Sequence, residues 1–214
     1  LCAPSSVPIL AINMGAFGFL IEVQEDEWTV AIDKLLAGDY WIEKRMLLRA
    51  EHQRGDEVLG GWEVVNDAVI SRGHVVRPVH LTAHLDGHNL ATYVTDALIV
   101  ATPTGSTAYA LAAGGPVLPP EVRNILIVPV APHLSIDRAI VLAEGSNVSV
   151  EVDSDHEAIL SVDGKRPVAL HKGDLINVRL SEHTLQFVRF QDANYFYRNL
   201  VGLMDQNPSA GDRP

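Results

Sequence analysis

Asp96-Ala97-Leu98-Ile99-Val100-Ala101-Thr102-Pro103-Thr104-Gly105-Ser106-Thr107-Ala108-Tyr109 is the most informative stretch of this chain. The apolar run 96–101 reads as a buried strand. A loop of small hydroxylated residues follows, and 108–113 reads as a short helix stopped by Gly114-Gly115-Pro116. N–H groups at a helix start lack intrahelical acceptors, and Thr104, Ser106 and Thr107 add hydroxyl donors and acceptors. The loop therefore suits a polar ligand. Tyr109 offers a flat face to an aromatic base, a contact worth roughly 1–3 kcal/mol in nucleic-acid systems. A plain capped helix after a strand explains the same residue types, and composition alone favours it because capping is the commoner use.

Outward from this loop the texture is β from about residue 41 onward. Segments 63–70, 75–85, 90–95, 124–130, 139–142, 148–152 and 158–162 read as strands. Asp86-Gly87 and Asp163-Gly164 are two-residue hairpin signals. Segments 175–180 and 185–190 read as a final hairpin around Glu182-His183. Nearer the start, 7–12 reads as a buried strand and 13–18 as a glycine-bearing turn. Trp28, Ile32, Leu35 and Leu36 then share one helix face, with Glu25, Asp26 and Glu27 in the first turn and Gly38 as the stop. Residues 195–204 read as a closing helix and the last ten as a mobile tail. The expected fold class is an α/β fragment followed by a mostly antiparallel β-sandwich. Residues 1–40 would be the C-terminal part of an α/β domain, 41–192 the sandwich, and 193–214 a tail packing back on the α/β part.

Composition narrows the function classes. The 214 residues carry a net charge of −11 and no basic patch, which argues against nucleic acid or an anionic membrane as partner. No apolar run is long enough to span a bilayer. The single Cys2 forms no internal disulfide, so a cytoplasmic location is expected. His80, His84 and His88 have metal-like spacing, but they fall in a predicted hairpin, where four residues span about 13 Å at roughly 3.3 Å each. One zinc needs its nitrogens about 2 Å away, so no metal site is assigned. Trp28, Trp41 and Trp62 are expected in a core or an interface. The sequence begins without Met, partway through what reads as a domain, and a longer protein is expected.

The order of residues is more telling than their types. Positions 101–116, ATPTGSTAYALAAGGP, closely resemble the signature of the NAD kinase family. Asn13-Met14-Gly15-Ala16-Phe17-Gly18-Phe19-Leu20 resembles its NxGxxGFL segment, and Asn66-Asp67, with Ile70 and Arg72, its Asn-Glu/Asp motif. Pro132-His133 with Arg138 resembles PHxLSxRP, and Asp163-Gly164-Lys165 an Asp-Gly-Gln-like hairpin. The resemblance runs from about Val7 to about Tyr195. The chain departs from the pattern at Ala97 (usually Gly), Ala112 (often Ser), Ser135 (one place early) and Ala139 (Pro in the family). The family's GGDG segment, whose Asp is the expected general base, is absent here and is expected upstream of Leu1.

The resemblance implies phosphoryl transfer from ATP, or polyphosphate, to the 2′-hydroxyl of NAD, with Mg²⁺ or another divalent cation accompanying ATP. It implies ribose and adenine contacts for Asn66 and Asp67, and adenine enclosure by Thr107, Ala108 and a stacked Tyr109. Thr104 and Ala112 line the same site. Asp96 is expected at the nicotinamide end, reaching it from a neighbouring subunit of a homo-oligomer, a dimer or tetramer. Arg77 and Lys165 are expected near the dinucleotide. Without the resemblance, Asn66-Asp67 would read as a self-capping turn pair, and Arg77 and Lys165 as solvated charges. The residues here should be inactive alone. Rival readings are a non-catalytic NAD(P)-binding module and, more distantly, a lipid kinase of the diacylglycerol or sphingosine kinase type.

Overall fold

Alternating apolar and polar positions generate most of the strands in the computed structural model, which describes residues 2–14, 20–74, 77–133, 136–198 and 200. The strands are β1 (Trp41–Arg54), β2 (Glu57–Val64), β3 (Asp67–Arg72), β4 (Val79–Leu85), β5 (His88–Thr95) and β6 (Ala97–Ala101). They continue with β7 (Asn124–Val130), β8 (Ile140–Ala143), β9 (Val148–Val152), β10 (Ala158–Val162), β11 (Val168–Leu170) and β12 (Leu175–Arg189). The helices are α1 (Trp28–Ala37) and α2 (Tyr109–Ala112). The expected turn at 15–18, the strand start at 75–76, Leu134-Ser135 and the closing helix and tail beyond 200 lie outside the described residues.

The chain forms two compact units. The larger comprises Met46–Leu118 and Val122–Glu182. Its strands belong to two six-stranded sheets, ordered β2-β1-β12-β9-β4-β5 and β11-β10-β3-β6-β7-β8. The main core draws Leu48, Leu81, Tyr93 and Val150 from the first sheet and Ile70, Leu98, Ile125 and Leu160 from the second, as in a sandwich. A second cluster of Val69, Ile99, Leu126, Val128 and Ala110 lies on the other face of the second sheet. All five residues of β6 are therefore buried, which is why 97–101 is an unbroken apolar run rather than an alternating one. Asp86 and Gly87, with φ of 50° and 80°, make the left-handed turn that the β4–β5 hairpin requires, and Leu85 pairs with His88 across it.

The smaller unit comprises Leu1–Arg45, Pro119–Glu121 and His183–Pro214. Helix α1 ends at Gly38 in the left-handed region (φ 75°), where the absent Cβ removes the strain of that conformation. Its Trp28, Ile32 and Leu36 are exposed, and Ala31 is its buried residue. The periodicity marked an amphipathic face without saying what covers it. Trp41, by contrast, is tied down, its indole N–H donating to the Gln191 carbonyl at 2.6 Å.

Elsewhere the structure corrects the reading. Segment 7–12 is not a buried strand: it makes single parallel bridges at Ile9 to Phe187 and at Ile12 to Val23, and Val7 and Ile12 are exposed. No hairpin forms at Glu182-His183, because β12 runs straight through. A single fifteen-residue strand carries both residues, with Glu182 exposed between buried Ser181 and half-buried His183. The segment 63–70 is not one strand, since β2 stops at Val64 and β3 starts at Asp67.

Candidate functional site

The break between β2 and β3 builds the site. Val65 and Asn66 leave the sheet, so their backbone groups need other partners. The Asp163 carboxylate supplies acceptors for the amides. Val65 N–H donates to Oδ2 at 3.0 Å, Asn66 N–H to Oδ1 at 2.7 Å and Asp67 N–H to Oδ1 at 3.3 Å. The Asp163 amide returns a bond to the Asp67 carbonyl at 3.0 Å. The carbonyls go to Thr102, whose hydroxyl donates to Val65 O at 2.5 Å and whose amide donates to Asn66 O at 2.9 Å. Asp163 itself sits at φ 48°, in a left-handed turn with Gly164 at 66°.

Residues 102–112 rest directly on this break. Thr104–Thr107 is a 3-10 turn and Tyr109–Ala112 a single α-helical turn, instead of the one helix over 108–113 that the sequence suggested. The loop spends several polar groups on itself. Gly105 N–H donates to the Thr102 hydroxyl, Ser106 N–H to Pro103 O and Ala108 N–H to Gly105 O. Ser106 is fully buried, donating to Pro103 O and accepting from Leu118 N–H, so it braces the loop from behind. Thr107 donates to Thr104 O at 3.1 Å. Gly105 lies so near Asn66 that a Cβ there would stand 2.0 Å from the Asn66 carbonyl oxygen. That approach presses the loop onto the Asn66-Asp67 peptide.

Asp67, which follows the Asn66 carbonyl that Gly105 approaches, is unusual. It is 5% exposed, yet its carboxylate makes no hydrogen bond or ion pair among the described residues. Burial, and after it the neighbouring Asp163 carboxylate, push its pKa up to about 6. A nearly buried carboxylate without a partner is costly and calls for donors from elsewhere. Asn66 is half-buried, and Tyr109 is 44% exposed with its ring available for contact. Ala112, one helical turn on, is exposed beside it, and Ala108 is half-buried.

The other predicted residues divide. Lys165 follows the Asp163-Gly164 turn and is exposed, its backbone N–H donating to Val162 O. Asp96 stands between β5 and β6, ion-paired with Arg72 at 3.2 Å and 40% exposed at its side chain. Arg77 is exposed, and the described residues give it no hydrogen bond or ion pair linking it to this loop. His133 donates its amide to Val94 O, and among the described residues Arg138 pairs with its neighbour Asp137. Sequence reasoning missed Asp163 and Thr102 as builders of the site. The Asp-Gly signal announced a turn, but nothing local revealed that its carboxylate reaches amides 96 to 98 residues away. No three described His, Cys, Asp or Glu side chains cluster to hold a metal, and no described helix is long and apolar enough to cross a membrane.

Comparison with known proteins identifies the family. The ATP-NAD kinase C-terminal domain family matches residues 65–190. The chain is 40% identical over 212 residues to an NAD kinase of Dehalococcoides mccartyi, covering 98% of this chain and 75% of that protein. The crystal structure of yeast NADH kinase complexed with NADH superposes with a TM-score of 0.85 at 29% identity, over 94% of this chain and 59% of the yeast chain. An NAD kinase from Archaeoglobus fulgidus in complex with ATP superposes with a TM-score of 0.74 at 26% identity, over 92% of this chain and 73% of that one. The family match over residues 65–190, which takes in Asn66-Asp67 at the link between the two sheets and the loop 102–112, and the 40% identity over 98% of the chain show that this chain belongs to the NAD kinase family.

Proposed function

We propose that the full-length protein transfers a phosphoryl group from ATP, or polyphosphate, to the 2′-hydroxyl of NAD, and that this chain supplies the NAD site. The observation that carries the assignment is the nearly buried Asp67 carboxylate, which has no partner among the described residues, together with the exposed Tyr109 ring of the loop that approaches Asn66. An ionised carboxylate can accept from two adjacent ribose hydroxyls, each such bond being worth about 1.5–3 kcal/mol. Asn66 adds an amide beside it for the ribose or adenine. Tyr109 stacks on the adenine, with Thr104, Thr107, Ala108 and Ala112 around it. Asp96, half-buried at a strand entrance, serves the nicotinamide end from a neighbouring subunit, and Arg77 and Lys165 contribute charge near the dinucleotide. The similarity to kinases solved with NADH and with ATP supports these two ligands.

In the reaction the 2′-oxygen attacks the terminal phosphorus, the bond to the leaving phosphate breaks, and the hydroxyl proton passes to a base. No residue described here is assigned as that base. A divalent cation accompanying ATP would offset phosphate charge. The described residues offer no cluster for it, and no step is assigned to it. The contribution of this chain is to hold the acceptor so that its hydroxyl is fixed in space.

Steady-state kinetics of full-length variants test the assignment. Asp67→Ala should lower kcat/KM for NAD at least about tenfold with little change in KM for ATP. Tyr109→Ala should act similarly, and Tyr109→Phe should be mild because the ring remains. Loss of thermal stability with unchanged NAD kinetics would show that both residues only pack.

A further inference from the structure

We propose that Asp163 is a positioning residue for the NAD site, its carboxylate fixing the Asn66–Asp67 peptide and thereby setting where the Asp67 carboxylate meets its ligand. This role rests on the NAD reading of Asp67. Every backbone group of Val65 and Asn66 has a partner, and the partners divide cleanly. The two carbonyls are held by Thr102, which belongs to the loop itself. The two amides, and that of Asp67, are held by Asp163. Sheet pairing holds none of the Val65 and Asn66 groups, because β2 has ended and β3 has not begun. Removing Asp163 therefore orphans amides on the segment that carries both predicted ligand groups.

An asparagine replaces this carboxylate only in part. Its one acceptor oxygen could stand at Oδ1, which all three amides reach, but it carries no charge to strengthen those bonds, and its NH₂ would face the Val65 N–H that Oδ2 now accepts. Asp163 adds a second effect by placing a negative charge near Asp67. The other segments packed here add little charge. Loop 102–109 and β6 carry no charged residue, Lys165 is exposed on the Asp163 turn, and Arg72, at the far end of β3, is paired with Asp96. The same side chain thus fixes the place of the Asp67 carboxylate and adds, after burial, to the rise in its pKa.

The test compares Asp163→Asn, Asp163→Glu and Asp67→Ala in the full-length enzyme. The readouts are KM for NAD and for ATP, kcat, melting temperature, and kcat/KM for NAD against pH. Asp163→Asn should lower kcat/KM for NAD at least about tenfold and leave KM for ATP within about twofold. Its acidic limb should move to lower pH, since the like charge is gone. Asp163→Glu keeps the charge but displaces the oxygens, so it should raise KM for NAD with the acidic limb unmoved. A structural role alone would lower the melting temperature without moving that limb. If Asp67→Ala impairs NAD use while Asp163→Asn keeps wild-type NAD kinetics and acidic limb, the positioning role is overturned and the NAD reading stands. If Asp67→Ala leaves NAD kinetics unchanged, the NAD reading fails and this role with it. Should Asp163→Asn not fold, Asp163→Glu decides: a wild-type KM for NAD overturns the proposal, and a raised one with KM for ATP intact supports it.

Discussion

Asp67 shows a conflict between folding and binding at the level of one side chain. Its carboxyl group is raised from 3.8 to about 6, first by burial and then by Asp163. An acid whose pKa is raised on folding binds its proton more tightly in the native state. The native state is therefore penalised as pH rises from about 4 to about 6, and the full penalty, on the order of 3 kcal/mol, persists at neutral pH. Asp67→Asn should accordingly raise the melting temperature of the ligand-free protein at pH 8 and change it little near pH 4, while lowering kcat/KM for NAD. Thermal melts at the two pH values check this, and equal shifts at both would refute the linkage. The charged form is the one that accepts two hydroxyls, so wild-type kcat/KM for NAD should fall as pH drops below about 6. The pair Asn66-Asp67 was legible in the sequence through its motif. Its burial and its lack of a partner among the described residues were not, because they depend on the tertiary fold, including the Asp163 turn about a hundred residues later.

At the level of elements, the strands with two-residue periodicity and the Asp86-Gly87 turn were legible because their determinants are local. The errors share one cause: continuity and interruption of strands depend on distant partners. Val64 and Asp67 look continuous in sequence, yet Asp163 and Thr102 capture the residues between them. Glu182-His183 looks like a turn, yet β12 crosses it. The decisive interruption is held open by a close backbone approach at Gly105, where a Cβ would stand 2.0 Å from Asn66 O. Gly105→Ala must push two backbones apart. It should destabilise by at least about 1–3 kcal/mol and impair NAD use, since loop and peptide separate. Gly145→Ala is the control, as its Cβ would meet nothing within 4 Å, and it should be near neutral. Denaturant titrations of both variants give the comparison, and a neutral Gly105→Ala would mean that the approach is not required.

Across the whole molecule, the two units have cores of different chemistry. The sandwich is held mostly by aliphatic side chains, and many of its strands could be anticipated from apolar runs, though not their order in the sheets. The smaller unit is organised around buried charge, which no periodicity announces. Arg189, fully buried, pairs with Glu22 at 3.0 Å and donates from Nε to Glu43 at 2.9 Å, while Nη2 lies 2.8 Å from the same Glu43 oxygen. Arg45 donates to Glu43 at 3.0 Å and to the Tyr195 hydroxyl at 2.8 Å, and that hydroxyl donates to Glu43 at 2.9 Å. The Arg189 guanidinium also sits over the Phe187 and Tyr195 rings. Burial alone would raise the Glu43 carboxyl, but Arg45 and Arg189 hold it below its ordinary value. Glu22 further accepts from the Phe190 and Gln191 amides, so the cluster ties 20–22, 43–45, 187–191 and 195 together. Breaking a buried pair from one side leaves an uncompensated charge, typically at a cost of about 3–5 kcal/mol. Arg189→Met should lose that much, and adding Glu22→Gln should recover part of it, because Glu22 has no other ion pair among the described residues whereas Glu43 keeps Arg45. Hydrogen exchange locates the loss. Amides of Val188, Phe190 and Gln191 should lose protection in Arg189→Met, while those of Leu81, Val150 and Ile99 keep theirs. Parallel loss at both sets would show instead that the two units open as one cooperative body.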